Sequence, residues 1–197
     1  NRNPDDPYVS SHYPAAKNLL LHLRYNTRED VNGRTMLFVE ELQSDWHQDG
    51  RKYGYGTTED TVPPAPFARS EDWALLAMKR MVRMAVERNV DRIAWTTGAQ
   101  QVSRYGMEGE RAAGMAAFYD RILPAAINRW ARPLGAQVTT AQIRPRFRQP
   151  AMTVHALDIT PAMRAAVDAG LPLFSRRAPG DFLADVEAVV RMDEDTT

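Results

Sequence analysis

Apolar and polar positions recur along the chain with two different periods, and the period predicts the elements. Residues 18–25 and 35–43 read as strands, and Asn32-Gly33 between them is a hairpin signal, so the two are expected to pair antiparallel. On the second strand Met36, Phe38, Glu40 and Leu42 alternate with Leu37, Val39, Glu41 and Gln43, so both faces begin apolar and turn polar at the C-terminal end. Strict alternation sets Glu40 and Glu41 on opposite faces, so at most one of them enters a given pocket. Residues 44–70 hold Gly50, Gly54, Gly56 and Val62-Pro63-Pro64-Ala65-Pro66-Phe67, too many breakers for a helix, and are expected to form an ordered loop or lid. From Ser70, the expected N-cap, the positions Trp73, Leu76, Ala77, Met81, Met84 and Ala85 recur at helical spacing to about residue 88. Residues 91–97 then read as a short buried strand stopped by Gly98.

Strand, crossover helix and strand make a βαβ unit, so the strands ending near Gln43 and Thr97 are expected to lie parallel with their C-terminal ends on one edge of the sheet. Ligands of open α/β sheets bind beyond such ends. Two polar runs arrive there, Gln43-Ser44-Asp45-Trp46-His47-Gln48 and Thr96-Thr97-Gly98-Ala99-Gln100-Gln101. Residues 102–109 read as a connection holding Arg104 and Tyr105, and residues 110–130 as a second helix kinked at Pro124. Residues 137–144 and 152–159 look like a closing antiparallel pair, and Thr160-Pro161 starts a short helix ending at Gly170. The fold class expected is α/β with a mixed sheet: an N-terminal hairpin, a central βαβ unit and a C-terminal antiparallel pair. Residues 1–17 form an extended entry segment with Tyr8, His12 and Tyr13 on the surface, residues 18–170 one domain, and residues 171–197 a tail or linker with an amphipathic stretch from Phe182 to Met192.

Composition narrows the function classes without selecting one. The 197 residues are 44% hydrophobic and 25% charged, as in folded globular domains. Lys+Arg at 25 balance Asp+Glu at 25, so no global field steers the chain to nucleic acid or an anionic membrane. The absence of cysteine excludes disulfides, thiolate catalysis and Cys-ligated zinc, and is compatible with a reducing cytoplasm. No apolar run approaches the roughly 20 residues that span a bilayer. The chain begins Asn1-Arg2-Asn3-Pro4, as expected of a piece of a larger polypeptide.

Several residues are candidates for chemistry. A partly buried Glu40 or Glu41 suits a general base for a substrate amine, and a salt-bridged strand end suits it as well. Asp45 and His47 are a candidate carboxylate and imidazole couple, with no ligand pattern for a metal. Gln43, Gln48, Trp46, Thr96, Thr97, Gln100, Gln101, Arg104 and Tyr105 suit recognition of a polar small-molecule or protein substrate, or a solvated loop with Trp46 in the core. Arg144, Arg146 and Arg148 around Phe147 suit phosphates of a cofactor or nucleic acid, and equally a solvated turn.

Residues 37–48, the Val62 to Phe67 run, residues 92–101, Phe118-Tyr119-Asp120-Arg121-Ile122-Leu123-Pro124, residues 159–164 and Gly170-Leu171-Pro172-Leu173-Phe174 resemble an uncharacterised domain of large polyvalent proteins of phages and integrative mobile elements. That resemblance implies a place in a host cytoplasm, delivered with phage or element DNA, and no particular activity. The order of elements is also similar to the GNAT superfamily of N-acetyltransferases, in which acetyl-CoA sits between two splayed parallel strands. This likeness implies acetyl-CoA as cofactor, Glu40 or Glu41 as base, and Tyr119 as the acid for the leaving thiolate. The family's pyrophosphate loop, Gln/Arg-x-x-Gly-x-Gly/Ala, is only approximated by Gln48-Asp49-Gly50-Arg51 and Lys52-Tyr53-Gly54-Tyr55-Gly56, and residues 57–70 separate it from the crossover helix. The alternative expectation is a non-catalytic or nucleic-acid-associated accessory domain protecting the invading element.

Overall fold

The computed structural model describes residues 6–145, 150–172 and 190–195. Six strands form one mixed sheet in the order β4-β5-β3-β2-β1-β6. The strands β1 (Leu21–Glu29) and β2 (Thr35–Gln43) make the expected antiparallel hairpin, and β2 pairs parallel with β3 (Arg92–Trp95). Next to β3 come β5 (Met152–Asp158) and β4 (Thr139–Ile143), both antiparallel, and β6 (Val190–Glu194) runs parallel to β1 on the other edge. This is the α/β mixed sheet read from the periodicity. The stretch assigned to the tail supplies β6, while residues 173–189, with most of the amphipathic stretch, lie outside the described residues.

The helices differ from expectation at four places. The supposed loop begins with a helix, α1 (Asp45–Tyr53), because Ser44 accepts the His47 N–H as N-cap and Asp45, Arg51 and Lys52 complement the helix dipole. Gly50 does not break it; a Cβ there would sit 2.0 Å from Cζ of Tyr55, so the glycine makes room for that ring. The crossover helix α2 (Ser70–Glu87) forms as expected, with Arg69 at the N-cap position in place of Ser70. After β3 the chain turns at once into α3 (Gly98–Tyr105): Thr97 accepts from the Gln100 N–H, and the Gln100 side chain accepts from the Thr97 N–H. The second long helix is α4 (Gly109–Ala117), a π turn (Phe118–Ile122) and α5 (Leu123–Ala131). The wider turn, in which Leu123 N–H bonds to Phe118 C=O, takes up the N–H missing at Pro124, where the sequence predicts a kink. A short 3₁₀ turn (Arg132–Leu134) leads to β4, and α6 (Pro161–Asp168) has Thr160 as N-cap and proline at the first helical position, as expected.

One face of the sheet, with Leu23, Leu37, Val39, Ile93 and Leu157, carries the main core against Met78 and Met81 of α2, Ile127 of α5 and Met163 of α6. The other face curls on itself. Val31 N–H bonds to Gln142 C=O at 2.9 Å and Arg144 N–H to Glu29 C=O at 2.8 Å, so the end of β1 meets the end of β4. Met36, Phe38, Ala94, Ala141, Ile143, Val154 and Ala156 fill the concavity. At its base the buried Arg92 reaches Asp30 at 3.0 Å and Asp158 at 2.7 Å, a paired charge between the two chain reversals. In the entry segment Tyr8 is a correction: it is buried, stacked on Trp46 with ring centroids 4.9 Å apart, and its hydroxyl donates to Asp49. His12 is exposed and Tyr13 half-buried. Among the described residues no helix is long and apolar enough to cross a membrane.

Candidate functional site at the C-terminal end of β2

The pairing of β1 with β2 slips once, between Arg24, which faces Glu41, and Tyr25, which faces Val39. Glu40 is the extra residue of a β-bulge. The bulge resets the alternation, so Leu42 joins Leu37 and Val39 in the main core, and Glu40 and Glu41 come to one side. Both carboxylates therefore meet one guanidinium: Arg24 Nε lies 3.2 Å from Glu40 and Nη2 3.0 Å from Glu41. The expectation that adjacent glutamates face apart fails because it assumed an uninterrupted pleat. Asn26 also donates to Glu40, and Tyr105 O–H and Gln43 donate to Glu41.

At the same point β2 and β3 part. Their pairing ends at Val39 and Trp95, and two side chains then satisfy the free edge of β2. Gln101 Nε2 donates to Glu40 C=O at 2.6 Å, and the Tyr119 hydroxyl donates to Leu42 C=O and accepts from Leu42 N–H, each at 3.1 Å. Burial pushes the Tyr119 hydroxyl pKa well above its ordinary value. The Tyr105 hydroxyl is raised too, first by burial and then by the carboxylate of Glu41, and stays a proton donor.

Two cavities flank the parting strands. The larger, about 750 Å³, lies beyond the end of β2, between α1, the start of α2, α3 and the π turn. Its polar wall is Gln43, Gln48, Arg51, Lys52 and Arg111, with no carboxylate, and its apolar wall includes Trp73, Met115 and Phe118. Trp73 is stacked on Phe118, and its buried indole N–H has no acceptor among the described residues. The smaller, about 540 Å³, opens on the concave face between Phe38, Glu40, Thr96, Gln101, Arg104 and Met152.

The remaining predicted residues are distributed as follows. Glu40, Glu41, Gln43, Tyr105 and Tyr119 converge, and Gln48 borders the larger cavity. Asp45 and His47 bond to different partners: Asp45 accepts from Ser10 at 2.5 Å and lies 3.1 Å from Nδ1 of His12. His47 is buried, with Nε2 donating to Phe67 C=O at 2.7 Å and Nδ1 at 2.8 Å from Ser44 Oγ; burial lowers its pKa. Trp46 donates to Pro63 C=O at 2.7 Å, so α1 pins the loop that follows it. Thr97 and Gln100 are spent on capping α3, and Gln100 Nε2 also donates to Thr153 C=O at 2.8 Å. Arg144 is paired with Glu29 at 2.6 Å, while Arg146 and Arg148 lie outside the described residues.

Sequence reasoning passed over Arg24 and Arg111, placed Trp73 only on the apolar stripe of α2, and met Arg51 and Lys52 only within the approximate pyrophosphate loop. It also passed over the pair of His155 Nε2 with Asp120 at 2.8 Å, where the same Asp120 oxygen accepts the Gly98 N–H. The Thr-x-x-Gln spacing of residues 97–100 was a readable capping signal. The others depend on partners distant in sequence. No protein-family model, curated protein or solved structure matches the chain.

Proposed function

We propose that the domain is an acyltransferase of the acyl-CoA-dependent kind, acting within a polyvalent protein of a phage or mobile element. The observation that carries this reading is the parting of the parallel strands β2 and β3 after Val39 and Trp95, at a bulge that carries two carboxylates and beside a cavity with cationic polar walls. A thioester cofactor is anionic at one end and apolar along its arm. Arg51, Lys52 and Arg111 supply charge for the first, and the Trp73, Met115 and Phe118 wall supplies surface for the second. The start of the crossover helix α2, at Ser70, borders the same cavity, where backbone N–H groups favour anions.

In this reading an amine attacks the thioester carbonyl, a C–N bond forms, the C–S bond breaks, and the nitrogen loses one proton. Glu41 or Glu40 accepts that proton, and Arg24 between them holds both carboxylates in place. The thiolate leaves and takes a proton from a hydroxyl. Both tyrosines border the cavity, and Tyr105 suits that step better than Tyr119: its O–H donates to Glu41, which returns the proton taken from the amine, while the Tyr119 hydroxyl is engaged with the backbone of Leu42. Isothermal titration with acetyl-CoA tests the proposal. Saturable binding that weakens at least about tenfold in the Arg51→Ala, Lys52→Ala double variant supports it. No heat of binding from the folded domain overturns it.

A further inference from the structure

The lining of the larger cavity divides into two chemistries, and together they describe an amphipathic anion. Three cations border it, Arg51 and Lys52 at the end of α1 and Arg111 on α4, and no carboxylate is among its lining residues. Arg51 and Arg111 form no ion pair among the described residues, and Lys52 lies over the ring of Tyr53, 4.6 Å from its centroid. Charge of one sign, left unneutralised at a cavity with low-dielectric walls, attracts an anion.

The apolar wall says what is joined to that anion. It is made by Met107, Met115, Phe118 and Ile122, and none of these side chains offers an N–H or O–H. The backbone behind them is bonded within the helix: Phe118 N–H reaches Gly114 C=O and Met115 C=O, and Leu123 N–H reaches Phe118 C=O. An amide or hydroxyl placed against this wall leaves water and finds no partner, whereas hydrocarbon there only gains. Methionine is unbranched and adaptable, and two of the four wall residues are methionines.

The fold itself leaves this wall uncovered. No residue of α4 is buried, and Ile122, beyond it on the π turn, is 37% exposed. A helix draws most of its stability from packing one face, and the side of α4 that carries Met115 borders the cavity. A bound chain supplies that cover.

We propose that the larger cavity holds an unbranched, medium-length alkyl chain ending in an anion, the chain against Met107, Met115, Phe118 and Ile122 and the anion at Arg51, Lys52 and Arg111. A free fatty acid and a fatty acyl thioester share this chemistry. Naming the chain the acyl group to be transferred rests on the acyl-transfer reading; its binding does not.

The test is isothermal titration of the folded domain with decanoate, hexanoate and decyltrimethylammonium, and then with decanoyl-CoA and acetyl-CoA. Decanoate is expected to bind at least about tenfold more tightly than hexanoate, because each buried methylene adds affinity, and at least about tenfold more tightly than decyltrimethylammonium, whose head is cationic. Arg111→Gln is expected to weaken decanoate several-fold, and Ile122→Ser to narrow its advantage over hexanoate. Both positions are exposed, so the variants keep the fold, which circular dichroism checks. No saturable binding of decanoate up to about 5 mM, equal affinity for hexanoate or for the cationic amphiphile, or binding unchanged in both variants would each overturn the proposal. The thioesters tell the sources apart. Decanoyl-CoA bound more tightly than decanoate and acetyl-CoA identifies an acyl thioester, while decanoate bound without either thioester identifies a free fatty acid and overturns the acyl-transfer reading alone. Acetyl-CoA bound without decanoate leaves that reading standing and overturns this one.

Discussion

Glu40 and Glu41, adjacent in the chain, lie on one side of β2 and share Arg24, whose Nε is 3.2 Å from the first and whose Nη2 is 3.0 Å from the second. A single extra residue in the ladder with β1 causes this, and it determines where both the charge and the chemistry of the site sit.

Replacing Arg24 should expose how far that arrangement depends on the guanidinium. Arg24→Gln leaves two partly buried carboxylates without their shared cation and is expected to cost about 2 kcal/mol of stability. Adding Glu40→Gln should recover part of the loss. Urea unfolding measures both, and an unchanged midpoint in Arg24→Gln would show that the pair does not need the arginine.

Tyr119 substitutes for a strand partner. Tyr119→Phe keeps the ring and strips the hydroxyl from both Leu42 backbone groups, so it is expected to cost about 1–3 kcal/mol. For a domain of this size that is a fall in Tm of about 2–4 °C for each kcal/mol. Tyr105→Phe, at a half-exposed position, should leave Tm nearly unchanged and, on the acyl-transfer reading, reduce turnover.

Gly98 sits where α3 meets the second long helix. A Cβ there would lie 2.4 Å from Cα of Ala116 and 2.7 Å from a carboxylate oxygen of Asp120. Gly98→Ala is expected to destabilise by about 1–3 kcal/mol despite the gain in helix propensity, because backbone must move. A thermal melt equal to that of the parent protein would refute the close approach.

Acid should weaken the fold through its buried imidazoles. Burial lowers the pKa of both His22 and His47. The native state therefore holds them neutral, while the unfolded chain takes up protons below about pH 6.5, so their contribution is complete above that value and is lost as pH falls toward the native pKa values. Denaturant unfolding at pH 7.5 and 5.5 should show lower stability at 5.5, and His47→Gln should flatten the dependence. Equal stability at both pH values would count against this account.

The elements legible in the sequence were those set by period and punctuation. The bounds of β2, the apolar stripe of α2, the antiparallel pair β4 and β5, and α6 with Thr160 and Pro161 at its start all follow from local steric and hydrogen-bonding preferences that neighbouring residues already express. The parallel β2–β3 pairing followed from the length of the crossover between them.

What tertiary structure decided was phase and partnership. Whether Glu40 and Glu41 face together depends on a bulge opposite Arg24, and no local property of Glu40-Glu41 distinguishes a bulge from an even pleat. Gly50 looks like a helix breaker until Tyr55 is seen against it, and Gln101 looks like a surface amide until Glu40 and Thr96 are seen to hold one end and leave the other unpaired. The sequence alone determined the strands β1 to β5 and the helices α2 and α6, though not α1, α3 or β6, and that polar chain gathers at one sheet edge. The tertiary structure alone decided which of those polar groups are consumed in holding the fold and which still face a cavity, because a hydrogen bond is settled by distance in space and the partners here lie far apart in the chain.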